Sequence, residues 1–168
     1  MHRDCTFSGM LADAGAALDA VVDAGSAVLV ASSLGCLFAC HLAQERPNDV
    51  QGLLLVAPAV EAFTGWSSSS RCTVSGDRLV LASEYASTGR YELPLSFRHE
   101  VLAAGLPEFS QPAAVICGTA DTVSPEEQCT SFAEARGARL RVVDSDHRLS
   151  DACALRVIEE ELLRLIGG

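Results

Sequence analysis

Three short, unbroken apolar runs constrain this chain more than any other feature. They are Ala27 to Ala31 (A-V-L-V-A), Val50 to Val56 (V-Q-G-L-L-L-V) and Ala113 to Cys117 (A-A-V-I-C). Each has the length of a strand and lacks the polar alternation of a strand with one wet face, which suits burial on both faces of a helix-covered parallel sheet. The sequence between the first two runs agrees. A small-residue turn, Ser32-Ser33-Leu34-Gly35, gives way to helical spacing from Cys36 to Gln44, and Pro47-Asn48-Asp49 breaks it. Strand, helix and strand in about 30 residues is a βαβ unit, so the fold class is α/β.

The remaining elements fit that frame. Phe7, Leu11, Leu18, Val21 and Val22 fall at helical spacing, predicting a helix over 7–22 that Asp23-Ala24-Gly25 ends. Ser124-Pro125-Glu126-Glu127 opens another helix, with Ser124 as N-cap and Glu127 completing a capping box. Leu140 to Val143 is the last strand. Ser150 is expected to cap a helix over 151–166 with Leu155, Ile158, Leu162 and Leu165 as its apolar stripe. The pairs Glu126-Glu127 and the run Glu159-Glu160-Glu161 read as solvated helix faces. Residues 61–107 read as an irregular excursion from the sheet, with a hairpin near Arg78 to Ala82 and a helix over 95–104. The 168 residues suit a single domain.

Composition removes several function classes. Twenty-two acids against twelve bases give a net charge of -10, which repels phosphate backbones and anionic lipid, so nucleic acid is not an expected partner. All the bases are Arg, which excludes a catalytic or phosphate-binding Lys. No apolar run is long enough to span a membrane, and the amino end shows no signal or transit pattern, so a cytoplasmic location is expected. The seven cysteines have no regular spacing and read as reduced core thiols. Cys36-x-x-x-Cys40-His41 lacks a second ligand pair, so no metal or cofactor is expected.

In doubly wound sheets reactive groups sit at the carboxyl ends of strands. Three such ends here carry Ser33, Asp121 and the segment Asp144-Ser145-Asp146-His147. A hydroxyl, a carboxylate and an imidazole are the groups that nucleophilic catalysis combines. Ser33 would attack, His147 would take its proton, and Asp121 would orient and charge-balance the imidazole. Ala31, Ser32 and Gly35 supply the small neighbours that a tight strand-to-helix turn needs. The helix after that turn aims its N–H groups at the place where an oxyanion develops, with the Leu34 N–H as the nearest donor. Asp144 and Asp146 lie too close to His147 in sequence to orient it easily. Trp66, Tyr85, Tyr91 and Phe97 are candidates for an acyl pocket or for core packing. His41 reads as structural, and His2 and His99 have no supporting neighbours.

The run V-L-V-A-S-S-L-G-C (28–36) resembles the nucleophile elbow of α/β-hydrolases, G-T-A-D-T-V-S-P (118–125) their Asp turn, and D-S-D-H-R-L (144–149) their His loop. The combination is most similar to the palmitoyl-protein thioesterase and acyl-glucuronide esterase branch, whose known animal member is mitochondrial. The resemblance implies a mostly parallel sheet with flanking helices and cleavage of a small acyl ester or thioester. Ala31 and Cys36 stand where the family pattern has Gly. The family also has strands and an oxyanion loop ahead of the first helix, with no counterpart here. The expectation is therefore a domain truncated at its amino end, with Ala27 to Ala31 left as an apolar edge open to pairing with another chain. Two alternatives stay open: a non-catalytic hydrolase remnant that acts as a binding module, and a serine peptidase of the same fold.

Overall fold

In the computed structural model, which describes residues 5–22 and 25–167, the apolar runs form a parallel sheet. The chain runs α1 (Phe7–Asp19), β1 (Ala27–Ser32), α2 (Gly35–Glu45) and β2 (Val50–Val56), then a 3-10 turn at Val60–Thr64. Next come β3 (Cys72–Ser75), β4 (Arg78–Ala82), β5 (Arg90–Pro94) and α3 (Leu95–Ala104). The last elements are β6 (Ala113–Gly118), α4 (Glu126–Arg136), β7 (Arg139–Val143) and α5 (Ala152–Gly167). The parallel sheet has the order β1-β2-β6-β7, and helices flank it. None of the described helices is long and apolar enough to cross a membrane.

Period-2 alternation divides the central strands between two cores. Leu53 and Leu55 of β2, with Ala113, Val115 and Cys117 of β6, join the core that includes Phe7, Leu37, Phe97 and Phe132. Leu54, Val56, Ala114 and Ile116 face the other way, onto Ala154, Val157 and Leu165 of α5. Burial on both faces explains why these strands read as continuous apolar runs. The register carries Leu55 beside Val115 and Val56 beside Ile116, so β1, β2, β6 and β7 all end along one rim.

The two outer strands differ. β1 is an edge as expected, and Val30 on it is 53% exposed. β7, on the opposite side, carries Arg139 and Arg141, charges of the kind that blunt an edge. Helix α1 is shorter than its apolar spacing predicts. It ends at Asp19 with Ala20 as C-cap, leaving Val21 exposed, and Asp23 and Ala24 lie outside the described residues, as does His2.

Between β2 and β6 the chain builds more than a hairpin. β3, β4 and β5 form a three-stranded antiparallel sheet that pairs Leu79 with Leu93 and Leu81 with Tyr91. β5, R-Y-E-L-P, carries little strand signal in the sequence because it is short, has two charged residues in five and ends in Pro. α3 spans the expected 95–104 and buries Phe97 against Phe7, Phe38 and Trp66.

Two caps and one helix face correct the expectations. Ser124 does not cap α4. It is buried, its hydroxyl donates to the Ala57 carbonyl at 3.4 Å, and no capping box forms. Asp151, not Ser150, caps α5, accepting the N–H groups of Cys153 and Ala154 at 2.9 and 3.0 Å. The buried stripe of α5 is Ala154, Val157, Glu161 and Leu165, while Leu155 is 52% exposed. Glu161 is thus no solvated residue. Its carboxylate accepts from Arg139 at 3.0 Å, Arg141 at 2.6 Å and Arg164 at 2.8 Å, clamping α5 to β7. Burial alone would raise its pKa, and the guanidiniums of Arg164, Arg141 and Arg139 outweigh it and hold the carboxyl below its usual range.

Gly118, the last residue of β6, lets the loop after β7 approach. A Cβ there would lie 2.8 Å from the Asp146 carbonyl oxygen and closer still to that of Ser145, both rigid backbone. Thr119 N–H donates to Val143 and Ala120 N–H to Ser145, joining the two loops directly. Gly118→Ala is expected to cost about 1–3 kcal/mol as an overpacking change and to loosen residues 144–149. Thermal unfolding and amide hydrogen exchange check this. Because the Glu161 pKa is lowered on folding, its contribution is complete above the ordinary Glu value of ~4.3 and fades as pH falls through the folded value. Glu161→Gln is expected to lose about 1–3 kcal/mol at neutral pH. The variant should also lose this part of the acid dependence, as urea unfolding across pH 2–7 would register.

Candidate active site

The first element of the site is the turn from β1 into α2. Ser33 has φ +51°, the left-handed region that side-chain-bearing residues avoid. Its neighbours hold it there. Ser33 N–H donates to the Val56 carbonyl at 2.9 Å, and Ala59 N–H donates to the Ser33 carbonyl at 3.2 Å. A Cβ at Gly35 would sit 3.9 Å from the Ala31 Cβ, an ordinary contact, so Ala31 fits where the family pattern has Gly. Leu34 follows at the N-cap of α2, which orients backbone N–H groups toward the mouth of the turn.

Cys36 lies three residues on, inside the core. It is fully buried, its thiol donates to the Ala31 carbonyl at 3.3 Å, and burial holds its pKa well above the usual thiol range. Cys40 is likewise pushed up to about 12 by burial. His41 packs edge-on against Phe7 inside the core, and burial lowers its pKa, which fits a neutral structural role.

The second and third elements come from the rim ends of β6 and β7. Asp121 is buried; its Oδ1 accepts the N–H groups of Val123 and Ser124, both at 2.8 Å. That leaves Oδ2 for the imidazole, and His147 Nδ1 lies 2.8 Å from it. With Nδ1–H donating to the carboxylate, Nε2 is left as an acceptor, and Ser33 Oγ stands 3.0 Å away. The three predicted residues, separated by as many as 114 positions, meet in one line. Asp144 and Asp146 are occupied elsewhere, accepting from Thr119 Oγ1 at 3.3 Å and from the Arg148 N–H at 2.9 Å. Leu149, at φ +48° and buried, anchors the His147 loop in the α5-side core.

Ser33 and His147 open into a cavity of about 700 Å³. The excursion supplies much of its wall, through Trp66, Arg71, Leu81, Tyr85, Tyr91 and Leu93. Trp66, Tyr85 and Tyr91 therefore line it as candidate pocket residues, whereas Phe97 is wholly in the core. The Tyr85 ring lies 5.4 Å from that of His147, and the Arg148 guanidinium sits 5.1 Å from its centroid. Burial raises the Tyr85 hydroxyl pKa. Arg71 and Glu61, paired at 3.0 Å in the cavity wall, were not anticipated from sequence. Nothing local marks them, because the pair spans ten positions of irregular chain and the Val123 carbonyl that Arg71 also reaches lies 52 positions on.

Solved structures share this architecture. A protein of Agrobacterium vitis S4 designated a hydrolase aligns with TM-score 0.82 and 24% identity over 98% of this chain and 70% of its own. Mouse alpha/beta hydrolase domain-containing protein 10 gives 0.79 and 23% over 99% and 71%. Est1E of Butyrivibrio proteoclasticus, solved with ferulic acid bound, gives 0.79 and 16% over 98% and 71%. At these identities the likeness speaks for the α/β-hydrolase fold. A search of curated proteins finds no match. The serine hydrolase family model, however, matches residues 11–153, a span that takes in the Ser33 turn, Asp121 and His147, and the chain belongs to that family.

Proposed function

We propose that this hydrolase cleaves carboxylic ester or thioester bonds through an acyl-Ser33 intermediate. The observation that carries the proposal is the unbroken line from Ser33 Oγ through His147 to Asp121, with separations of 3.0 and 2.8 Å. Ser33 Oγ attacks the substrate carbonyl carbon while His147 Nε2 takes the hydroxyl proton. The carbonyl oxygen gains the negative charge, and the Leu34 N–H at the start of α2 donates to it. The tetrahedral intermediate collapses, the bond to the alcohol or thiol breaks, and the imidazolium returns its proton to that leaving group. Water then attacks the acyl-Ser33 carbonyl with His147 again as base, releasing the carboxylic acid and restoring the serine. Asp121 orients the imidazole and stabilises the imidazolium. Every step runs on side-chain and backbone groups, without a metal or cofactor.

The cavity supports an ester or thioester with a sizeable acyl or alcohol group. Leu34, Trp66, Leu81 and Leu93 offer apolar surface, and Arg148 offers a polar contact. That Est1E was solved with ferulic acid, a carboxylic acid, is in keeping with such a product in this fold.

Hydrolysis of short p-nitrophenyl esters is the direct test, with covalent labelling by a fluorophosphonate probe. Ser33→Ala is expected to abolish labelling and to lower kcat by at least about 1000-fold, with folding unchanged. A folded chain that neither labels nor turns over would instead favour the binding-module alternative. Efficient cleavage of amides in preference to esters would favour a peptidase.

A further inference from the structure

The two N–H groups that grip Asp121 Oδ1 differ in what stands behind them. One, the Ser124 N–H, belongs to the same peptide group as the Val123 carbonyl. That peptide is trans and planar, so its C=O and N–H point in opposite directions, and whatever holds the oxygen also aims the hydrogen. Arg71 holds the oxygen. Its Nη2 donates to the Val123 carbonyl at 2.6 Å. The same nitrogen donates to Glu61 Oε2 at 3.0 Å, and Ser69 Oγ donates to that oxygen at 2.7 Å. Arg71 lies 52 positions before Val123, on the approach to β3, and the Ala82 N–H pins its carbonyl at 2.9 Å.

We propose that Arg71 is a positioning residue for the Asp121 carboxylate. Through the Val123–Ser124 peptide it aims the Ser124 N–H at Oδ1, and so fixes the direction in which Oδ2 meets His147. The guanidinium suits this work because it stays charged and presents donors in a rigid plane. A charge-assisted bond to the carbonyl also polarises the peptide and strengthens the bond made by its N–H. Glu61 balances the charge, so the anchor adds no isolated cation to the wall beside His147. A second tie joins the same segments, as Thr122 Oγ1 donates to Glu84 Oε1 at 2.6 Å. The three-stranded sheet is thereby the support of the Asp121 turn as well as the wall of the cavity. The catalytic consequence rests on the acyl-transfer role proposed above.

Three variants test this in the full chain: Arg71→Met, Arg71→Lys and, as a control in the same small sheet, Arg90→Met, which breaks the Arg90–Glu92 pair. The measurements are kcat and KM for p-nitrophenyl butyrate, the low-field proton resonance of His147 Nδ1–H, and thermal unfolding. Arg71→Met is expected to lower kcat about 10- to 100-fold, with KM changed less than about threefold, as misplacement of a catalytic group does. Its Nδ1 proton resonance should shift or broaden. Arg71→Lys, which keeps a donor, should recover part of both, and Arg90→Met should leave both unchanged. Arg71→Gln replaces Arg71→Met should the latter not fold. The proposal is overturned if kcat or the resonance of the Arg71 variant matches wild type, or if Arg90→Met reproduces the effects. If wild type and Ser33→Ala turn over equally, the acyl-transfer role falls by itself. The resonance then still decides whether Arg71 orients the carboxylate.

Discussion

Parallel pairing of β2 with its neighbours is the constraint from which the site follows. β2 sits between β1 and β6, and its last residue, Val56, pairs with Ser32 on one side and Ile116 on the other. The Val56 carbonyl then accepts the Ser33 N–H, so the strand that organises the sheet also holds the Ser33 turn. Parallel strands in register must end on the same side, and this places Ser33, Asp121 and His147 along one rim without any contact between them in sequence. Two opposed apolar layers hold that register. A one-residue slip of β2 would send Leu53 and Leu55 into the layer now filled by Leu54 and Val56.

Local strain is tolerated because the surroundings leave no alternative. Ser33 and Leu149 both adopt positive φ, one presenting the hydroxyl and the other anchoring the loop that carries His147. Each is over-determined, Ser33 by backbone hydrogen bonds on both sides and Leu149 by burial in the α5-side core. Gly118 plays the complementary part. Its missing side chain, rather than an unusual conformation, lets the imidazole loop reach the carboxylate turn.

Much of this was legible in the sequence, for a physical reason. Of the strands that precede Ser33, Asp121 and His147, β6 is buried on both faces and announces itself as an apolar run, while the edge strands β1 and β7 carry enough Val and Leu to be read as strands. The caps were harder. Ser124 and Ser150 are good capping residues by type, but Ser124 is committed to the Asp121 turn and the Ala57 carbonyl, and Asp151 reaches the α5 amides directly. Glu161 sits in an acidic run that looks solvated, and only the convergence of three arginines from two elements reveals it as buried. The small sheet was the least legible part, since β5 is stabilised by pairing with β4 and carries little apolar signal of its own.

The place of that small sheet in the chain bears on how the protein could be recombined. It lies between β2 and β6, which are adjacent in the large sheet, so the register of their pairing does not run through it. Packing as well as polar tethers joins it to the rest, since Leu79 is buried in the core shared with β2 and β6, so a graft of this segment would have to bring both with it.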